Sequence, residues 1–420
     1  MLFPSRTRVF AAGATSALFY LYRQEQEETR PDFFSLHTYA EEKYVNKSTA
    51  WSFGNNLFGQ LGIGNFLKQI YPQPVDTLSV KSVHANFDQT AFITDDGTLY
   101  TCGCSSHGRL GHGKSDSNKS IPQKVVSLNG RHVDSVAVGG FHMVCLVEGD
   151  VYTFGRNNYN QLGHNNPSPG DATKIEDCFD KGTVVAVAAG RMHSCAILDD
   201  GSVWTWGCGK DGALGHGSRS DENHPKKVEK LAGKRVVDID AGNDYTICVV
   251  DDGTVYSWGR DGCGQLGQGS QERLVLEPKR VSMKEKVTRV AAGNSHVLAI
   301  SDHGKLFSWG EGNSAQLGHG KTNNLDLPTE ISSIQNVVSA SAGNGHSGAV
   351  TDAGKCFLWG KGRHGQLASS AVESNAARRL VPVEVRAFEG KRVVQVSCGG
   401  EHTLVLSEDI EVVKASSSYW

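Results

Sequence analysis

An all-β fold, seven four-stranded blades closed into a ring (a β-propeller), is what this sequence predicts. Three observations predict it. The first is a segment built as strand, Trp/Phe/Cys-Gly, several residues, then Leu-Gly. It occurs seven times: WSFGNNLFGQLG (51–62), YTCGCSSHGRLG (100–111), YTFGRNNYNQLG (152–163), WTWGCGKDGALG (204–215), YSWGRDGCGQLG (256–267), FSWGEGNSAQLG (307–318) and FLWGKGRHGQLA (357–368). Its first glycines, Gly54, Gly103, Gly155, Gly207, Gly259, Gly310 and Gly360, follow one another at steps of 49 to 52 residues. A period kept along the chain marks a repeat architecture. The second observation is that each unit reads as short β-rich runs broken by Gly and Asp. The third is that no unit sustains a 3.6-residue apolar period, so almost no helix is expected.

The elements of one unit follow in order. Residues 225–259 open with Pro225-Lys-Lys-Val228 and continue with RVVDID (235–240), which alternates apolar and polar. Ala241-Gly242 then turns into the apolar run YTICVV (245–250). Asp251-Asp252-Gly253 is a tight-turn signal, for which a type I′ geometry is expected, and TVYSW (254–258) follows. The other units share the plan. Pro-x-x-Val/Ile recurs from Pro72, Pro122, Pro225, Pro278, Pro328 and Pro382. A Gly-x-x-His step precedes the apolar run at His142, His193, His296, His346 and His402, with Gln89 and Tyr245 in the other two units.

A lone four-stranded sheet cannot bury both faces, whereas a ring of seven can. The chain enters at the last strand of a unit and leaves after three strands, at 382–385, 393–396 and 403–406. The N-terminal strand is therefore expected to pair with the three C-terminal strands and clasp the ring, removing two exposed edges. The expected organisation is a targeting segment or short anchor at 1–30, a linker or strap at 31–48, the propeller at 49–410 and a tail at 411–420, with a Ser-rich end before Trp420.

Composition narrows the classes. Net charge is −3, which gives no overall bias toward nucleic acid, and no direct DNA binding is expected. Ten cysteines are present without a Cys-x-x-Cys, and Cys145, Cys195, Cys248 and Cys356 stand in strand positions. Small buried thiols are the expectation, rather than disulfides or a zinc site.

Residues 1–24 carry Arg6, Arg8 and Arg23 and no acid, and 9–22 read VFAAGATSALFYLY. Arg, Ser and Ala without acids fit mitochondrial import. An apolar run of this length spans ~21 Å as a helix against a ~30 Å membrane core, so it is short for a span. A mitochondrial location, matrix or inner membrane, is expected, with residues 9–22 as the segment for inner-membrane association; a cytosolic location is the alternative.

Several motifs imitate chemistry. GRLGHGKS (108–115) matches the phosphate-loop pattern, and AQLGHGKT (315–322) its relaxed form. A phosphate loop opens a helix, whereas here each match runs toward Pro122 or Pro328. Gly207-x-Gly209-x-x-Gly212 and Gly360-x-Gly362-x-x-Gly365 match the dinucleotide fingerprint, again without a following helix. Their glycines are expected to supply positive φ in turns. The five repeat histidines are expected to hydrogen-bond a neighbouring blade or their own turn, too far apart to share a metal. His112, His164, His216 and His319 are expected as solvent-exposed turn residues. No catalytic set, metal site or cofactor is expected.

With Trp/Phe-Gly, Gln/Arg-Leu-Gly, Gly-x-x-His and Pro-x-x-Val at this period, the chain resembles the regulator-of-chromosome-condensation repeat family over about residues 50–408. The resemblance implies a seven-bladed propeller. The family's namesake is a nucleotide exchange factor for a small nuclear GTPase. Other members are adaptors, ubiquitin-ligase segments or mitochondrial factors. A plant UV-B photoreceptor of the family uses clustered Trp and Arg on one face. The slots before the histidines here hold no Trp, so photoreception is not implied. Exchange depends on an acid in a Gly-Asn-Asp-His-like step, which only Gly242-Asn-Asp-Tyr245 approaches. Asp244 is thus a candidate contact. Arg191, Asn243, Asn294 and Glu401 occupy sister slots and complete the candidate protein-binding set. The expected function is a non-enzymatic scaffold, a mitochondrial member of the family assisting assembly of a respiratory or translation complex. Its partner would be a protein or ribonucleoprotein. The alternative is an exchange factor for a small or dynamin-like GTPase.

Overall fold

The computed structural model describes residues 43–413, apart from 114–116, 167–169, 177, 181, 271 and 370–377. The leader expected at 1–30, residues 31–42 of the expected strap, and the end of the tail lie outside the described residues.

Seven four-stranded antiparallel sheets are present. Blades 1 to 6 take their strands in chain order, from residues 80–124, 133–174, 184–227, 236–281, 287–330 and 337–384. Their first strands touch in cyclic order and line the axis. Four single-turn 3-10 helices are the helical content of the described residues.

Blade 7 closes the ring. Its strands are ordered Gln69–Pro74, Lys43–Gly54, His402–Val413 and Arg392–Cys398. N-terminal and C-terminal strands therefore do clasp, but two with two rather than one with three. The run at 382–385 falls largely in strand Arg378–Glu384, which completes blade 6 instead. Its Pro-x-x-Val motif marks an outer strand that ends a blade. The clasp ladder is continuous from Gly54↔His402 to Lys43↔Val413.

Each blade buries apolar side chains on both faces. Trp206, Trp258, Trp309 and Trp359 are fully buried. The glycine after each such residue sits at a bulge where the third strand meets the outer strand. At Gly259, φ is +111° and a Cβ would lie 2.5 Å from the Asp244 carbonyl oxygen. No other residue fits there without backbone movement.

The Asp-Gly turns are not type I′. At Asp251-Asp252-Gly253 only Gly253 has positive φ, and Asp252 Oδ1 accepts from the Thr254 N–H at 2.8 Å. The extra residue makes a longer turn braced by its own Asp. Glu148-Gly149 is the pair with both φ positive, and Val147 pairs directly with Asp150 around it. In the two motifs that imitate a dinucleotide fingerprint, Gly209 lacks positive φ; a Cβ there would meet the Ser220 carbonyl oxygen at 1.8 Å. The segments after the imitation phosphate loops lead into strands Lys119–Lys124 and Leu325–Glu330, with no helix among their described residues.

Candidate functional site

In every blade the first-to-second turn and the third-to-fourth loop lie at the same end of the ring. The turns are the Gly-x-x-His steps. Their main chains join into a collar around the axis. Gly140 N–H donates to Gly190 O (3.1 Å), Arg191 to Gly242 O (3.3 Å), Asn243 to Asn294 O (3.4 Å), and Asn294 to Gly343 O (3.1 Å). Asn344 donates to Gly399 O (3.2 Å) and Gly400 to Phe87 O (2.8 Å). Side chains make the seventh link: Asn86 Nδ2 donates to Val138 O (2.7 Å), and Gln89 Nε2 to Gly139 O (3.2 Å) and Gly140 O (3.1 Å).

The histidines rivet the collar to the blades. His142, His193, His296, His346 and His402 each place Nε2 2.8–2.9 Å from a hydroxyl of the next blade: Ser194, Thr246, Ser347, Thr403 and Thr90. Each hydroxyl in turn donates to a carbonyl of the preceding long loop, at Gln161, Ala213, Gln316, Gln366 and Gln60. Having donated its proton, the hydroxyl accepts, so Nε2 carries hydrogen and the ring is neutral. Burial holds these imidazoles down, to about 3 for His142, His296 and His346 and about 4 for His193 and His402. The two exceptions have a cause. The residue that would supply the hydroxyl is Met143 next to Gln89 and Val297 next to Tyr245. Gln89 and Tyr245 therefore reach backbone carbonyls instead, Tyr245 Oη donating to His296 O at 2.8 Å.

His112, His216 and His319 are not free turn residues. Their Nε2 atoms lie 2.8–3.0 Å from the hydroxyls of Thr101, Thr205 and Ser308. His164 is likewise half-buried, and its Nδ1 accepts from the Asn166 N–H at 3.2 Å.

All five candidate binding residues stand on the collar. Arg191, Asn243, Asp244 and Asn294 are contiguous. Burial raises the Asp244 carboxyl, Asp211 adds to this, and Arg191 and Arg260 oppose it. Glu401 stands apart and is engaged. Its carboxylate meets Lys361 Nζ at 2.7 Å, His364 Nε2 at 3.3 Å and Asn55 Nδ2 at 3.2 Å. Burial would raise it, but these partners hold it below its ordinary value.

Sequence reasoning missed the aromatic and basic sector. Phe87 and Phe141 stack with centroids 6.2 Å apart, and Arg109 and Arg156 both lie over Phe141. Arg109 was legible as a departure from its repeat slot, which holds Gln60, Gln161, Gln265, Gln316 and Gln366 in five other blades and Ala213 in blade 3. A group of Glu285, Asp302 and His303 lies at the opposite end, where Lys305 already pairs with Glu285. No helix among the described residues is long and apolar enough to cross a membrane.

Comparisons with known proteins agree with this architecture. A sequence model of the RCC1-like domain matches residues 119–415. The chain is 35% identical over 403 residues to human (Homo sapiens) E3 ubiquitin-protein ligase HERC2, covering 92% of this chain and 8% of that protein. It thus spans a small part of the first relatives it matches. Over 363 residues it is 32% identical to the Ultraviolet-B receptor UVR8 of Arabidopsis thaliana, covering 85% of this chain and 70% of that one. Among solved structures, Prp20p of Saccharomyces cerevisiae, described with its binding to Gsp1p and histones, superposes with a TM-score of 0.75 at 23% identity, covering 90% of this chain and 94% of that one. Human WBSCR16 gives 0.76 at 24% identity, covering 86% and 99%. At such identities the two structures carry the fold alone. On the extent of the domain match and the identity to these relatives, the chain belongs to the RCC1-like domain family.

Proposed function

We propose that this protein is a non-enzymatic scaffold whose collar face docks a protein or ribonucleoprotein partner. We place it in the mitochondrion, in the matrix or at the inner membrane, assisting assembly of a respiratory or translation complex. The observation that carries the docking reading is the collar. Its main-chain bonds run from blade to blade and His rivets hold five of the seven blades, while no two blades share the same pair of residues before the rivet position. A fixed frame with divergent loops is how a scaffold presents a recognition surface. The location rests on the acid-free, Arg-bearing residues 1–24.

The test is affinity capture from fractionated mitochondria with the full chain and with an Arg191→Ala/Asn243→Ala/Asn294→Ala variant. A partner captured by the first and lost with the second is the expected result. Capture of nothing from that fraction, or equal capture by both, would overturn the reading.

A second reading is favoured by one residue. Asp244 is an acid of raised pKa on the collar, as an exchange factor's wedge would present. Release of fluorescent GDP from candidate GTPases, accelerated by the protein and slowed by Asp244→Asn, would support exchange. Release no faster than buffer would remove it.

A further inference from the structure

Most of the long loops share a brace. In five loops a Gln side chain accepts the N–H two residues before it: Gln60 from Phe58 (3.0 Å), Gln161 from Tyr159 (3.0 Å), Gln265 from Cys263 (2.8 Å), Gln316 from Ser314 (2.8 Å) and Gln366 from His364 (2.9 Å). Arg109 holds this slot in blade 1 and does something else. Its Nε donates to Ser106 O at 2.9 Å and one Nη to Gly140 O at 3.3 Å, which lays the guanidinium 4.8 Å from the centroid of Phe141. Arg156, from the next blade, lies 5.3 Å from the same centroid. Its Nε is buried and has no hydrogen-bond partner.

Two guanidiniums against one ring repel each other. Burial lowers Arg109, and Arg156 lowers it further. Among the described residues neither arginine joins an ion pair. Asp88, the nearby acid, opposes this lowering but forms no ion pair with either arginine, and burial and Glu401 raise its own carboxyl. The same arc carries Arg191, packed against Gly140, and Lys210, 4.6 Å from the Tyr159 ring centroid. The free donors are the fork of Arg156 and the remaining Nη of Arg109. That set suits an oxyanion, and a planar carboxylate meets such a fork with both oxygens.

We propose that Arg109, Phe141 and Arg156 form a carboxylate-binding subsite that receives an Asp or Glu side chain from an acidic segment of a protein partner. Phe141 is the platform that holds the planar guanidiniums in place. The proposal rests on the docking reading and names the chemistry of its partner.

The test is fluorescence anisotropy of the full chain with a labelled Glu-Ser repeat peptide. A Gln-Ser peptide, a phosphoserine peptide and an oligouridine serve as competitors. The Glu-Ser peptide is expected to bind, to weaken with added salt, and to lose about tenfold in affinity with Arg156→Gln. Arg109→Gln installs the residue its sister loops carry, so it is expected to keep the melting temperature and to lose affinity similarly. Arg386→Gln, exposed at the opposite end of the ring, is expected to leave binding unchanged. The subsite is overturned by absent binding of the Glu-Ser peptide, by arginine variants that bind as the parent does, or by stronger binding of the phosphopeptide or the RNA. A subsite overturned while collar-dependent partner capture persists leaves the docking reading standing. Failure of capture, with peptide binding intact, removes the docking reading alone.

Discussion

Each repeat histidine depends on one residue, the hydroxyl that follows the equivalent slot in the next blade. Where the hydroxyl is missing, the imidazole is missing too. Tyr245 faces Val297, and this pair offers a direct test. Tyr245→His alone should leave an imidazole without a hydroxyl, and Val297→Thr alone a hydroxyl without an imidazole. Combined, they should recover about 1–2 kcal/mol relative to the sum of the singles, read from a double-mutant cycle of denaturant unfolding. The buried histidines also set acid stability. Their folded pKa lies below the ordinary 6.5, so their contribution is complete above that value and is lost as pH falls toward 4 and then 3. At pH 5 each withdraws roughly 2 kcal/mol, and the five together about as much as a domain's whole stability. The melting temperature should therefore fall steeply between pH 6.5 and 5. A flat profile there would contradict neutral, buried rings. The histidine slot was legible in sequence, because it recurs with the period; its hydroxyl partner was not, because it lies in the next blade. The Arg109–Phe141–Arg156 contact was not, because it joins two blades through side-chain direction alone.

At the scale of the strand, the unpaired edge is the problem each blade must solve. The inner strands line the axis, and side chains from neighbouring blades satisfy their free amides. Asp238 Oδ2 accepts from Val290 N–H and Asp240 Oδ2 from Ala292 N–H, each at 2.8 Å. At the seam between blades 7 and 1, Gln395 Oε1 accepts from Val83 N–H (3.0 Å) while its Nε2 donates to Val83 O (2.8 Å). Gln395→Ala should strand both backbone groups and cost about 3 kcal/mol, measured by chemical unfolding. Gln395→Glu should restore the acceptor but not the donor and fall between. The strands themselves were readable from the alternating and apolar runs. The turn type was not: Asp-Gly suggested a type I′ turn, yet the Asp side chain caps its own turn and lengthens it. A two-residue turn formed at Glu148-Gly149, where no such Asp is present.

At the scale of the molecule, the clasp decides whether there is a ring. Trp51 Nε1 donates to Ser407 Oγ at 3.0 Å, and its ring meets Phe388 edge-on at 6.0 Å. Strand Lys43–Gly54 lies between two partners, so a proline within it removes an interior ladder bond. Ser52→Pro should abolish folding of the whole protein in one step. The same change at Lys226, in the outer strand of blade 3, should leave a cooperative fold. Circular dichroism and a single unfolding transition distinguish these outcomes. The clasp ladder reaches the collar at Gly54↔His402 and runs on to Lys43↔Val413 at the opposite end. The described strands of the clasp thus start and stop at the end of the ring opposite the collar.

The seven-fold repeat, the strand composition, the histidine slots and the fact of closure were determined by the sequence itself. They arise from local periodicity and from a unit that cannot bury its faces alone, and both are written in residue order. The two-with-two clasp, the engagement of Glu401 and the gathering of Arg109, Arg156 and Phe141 were decided by tertiary structure. Each depends on which side chains from separate blades meet around the axis, a distance that sequence spacing does not encode.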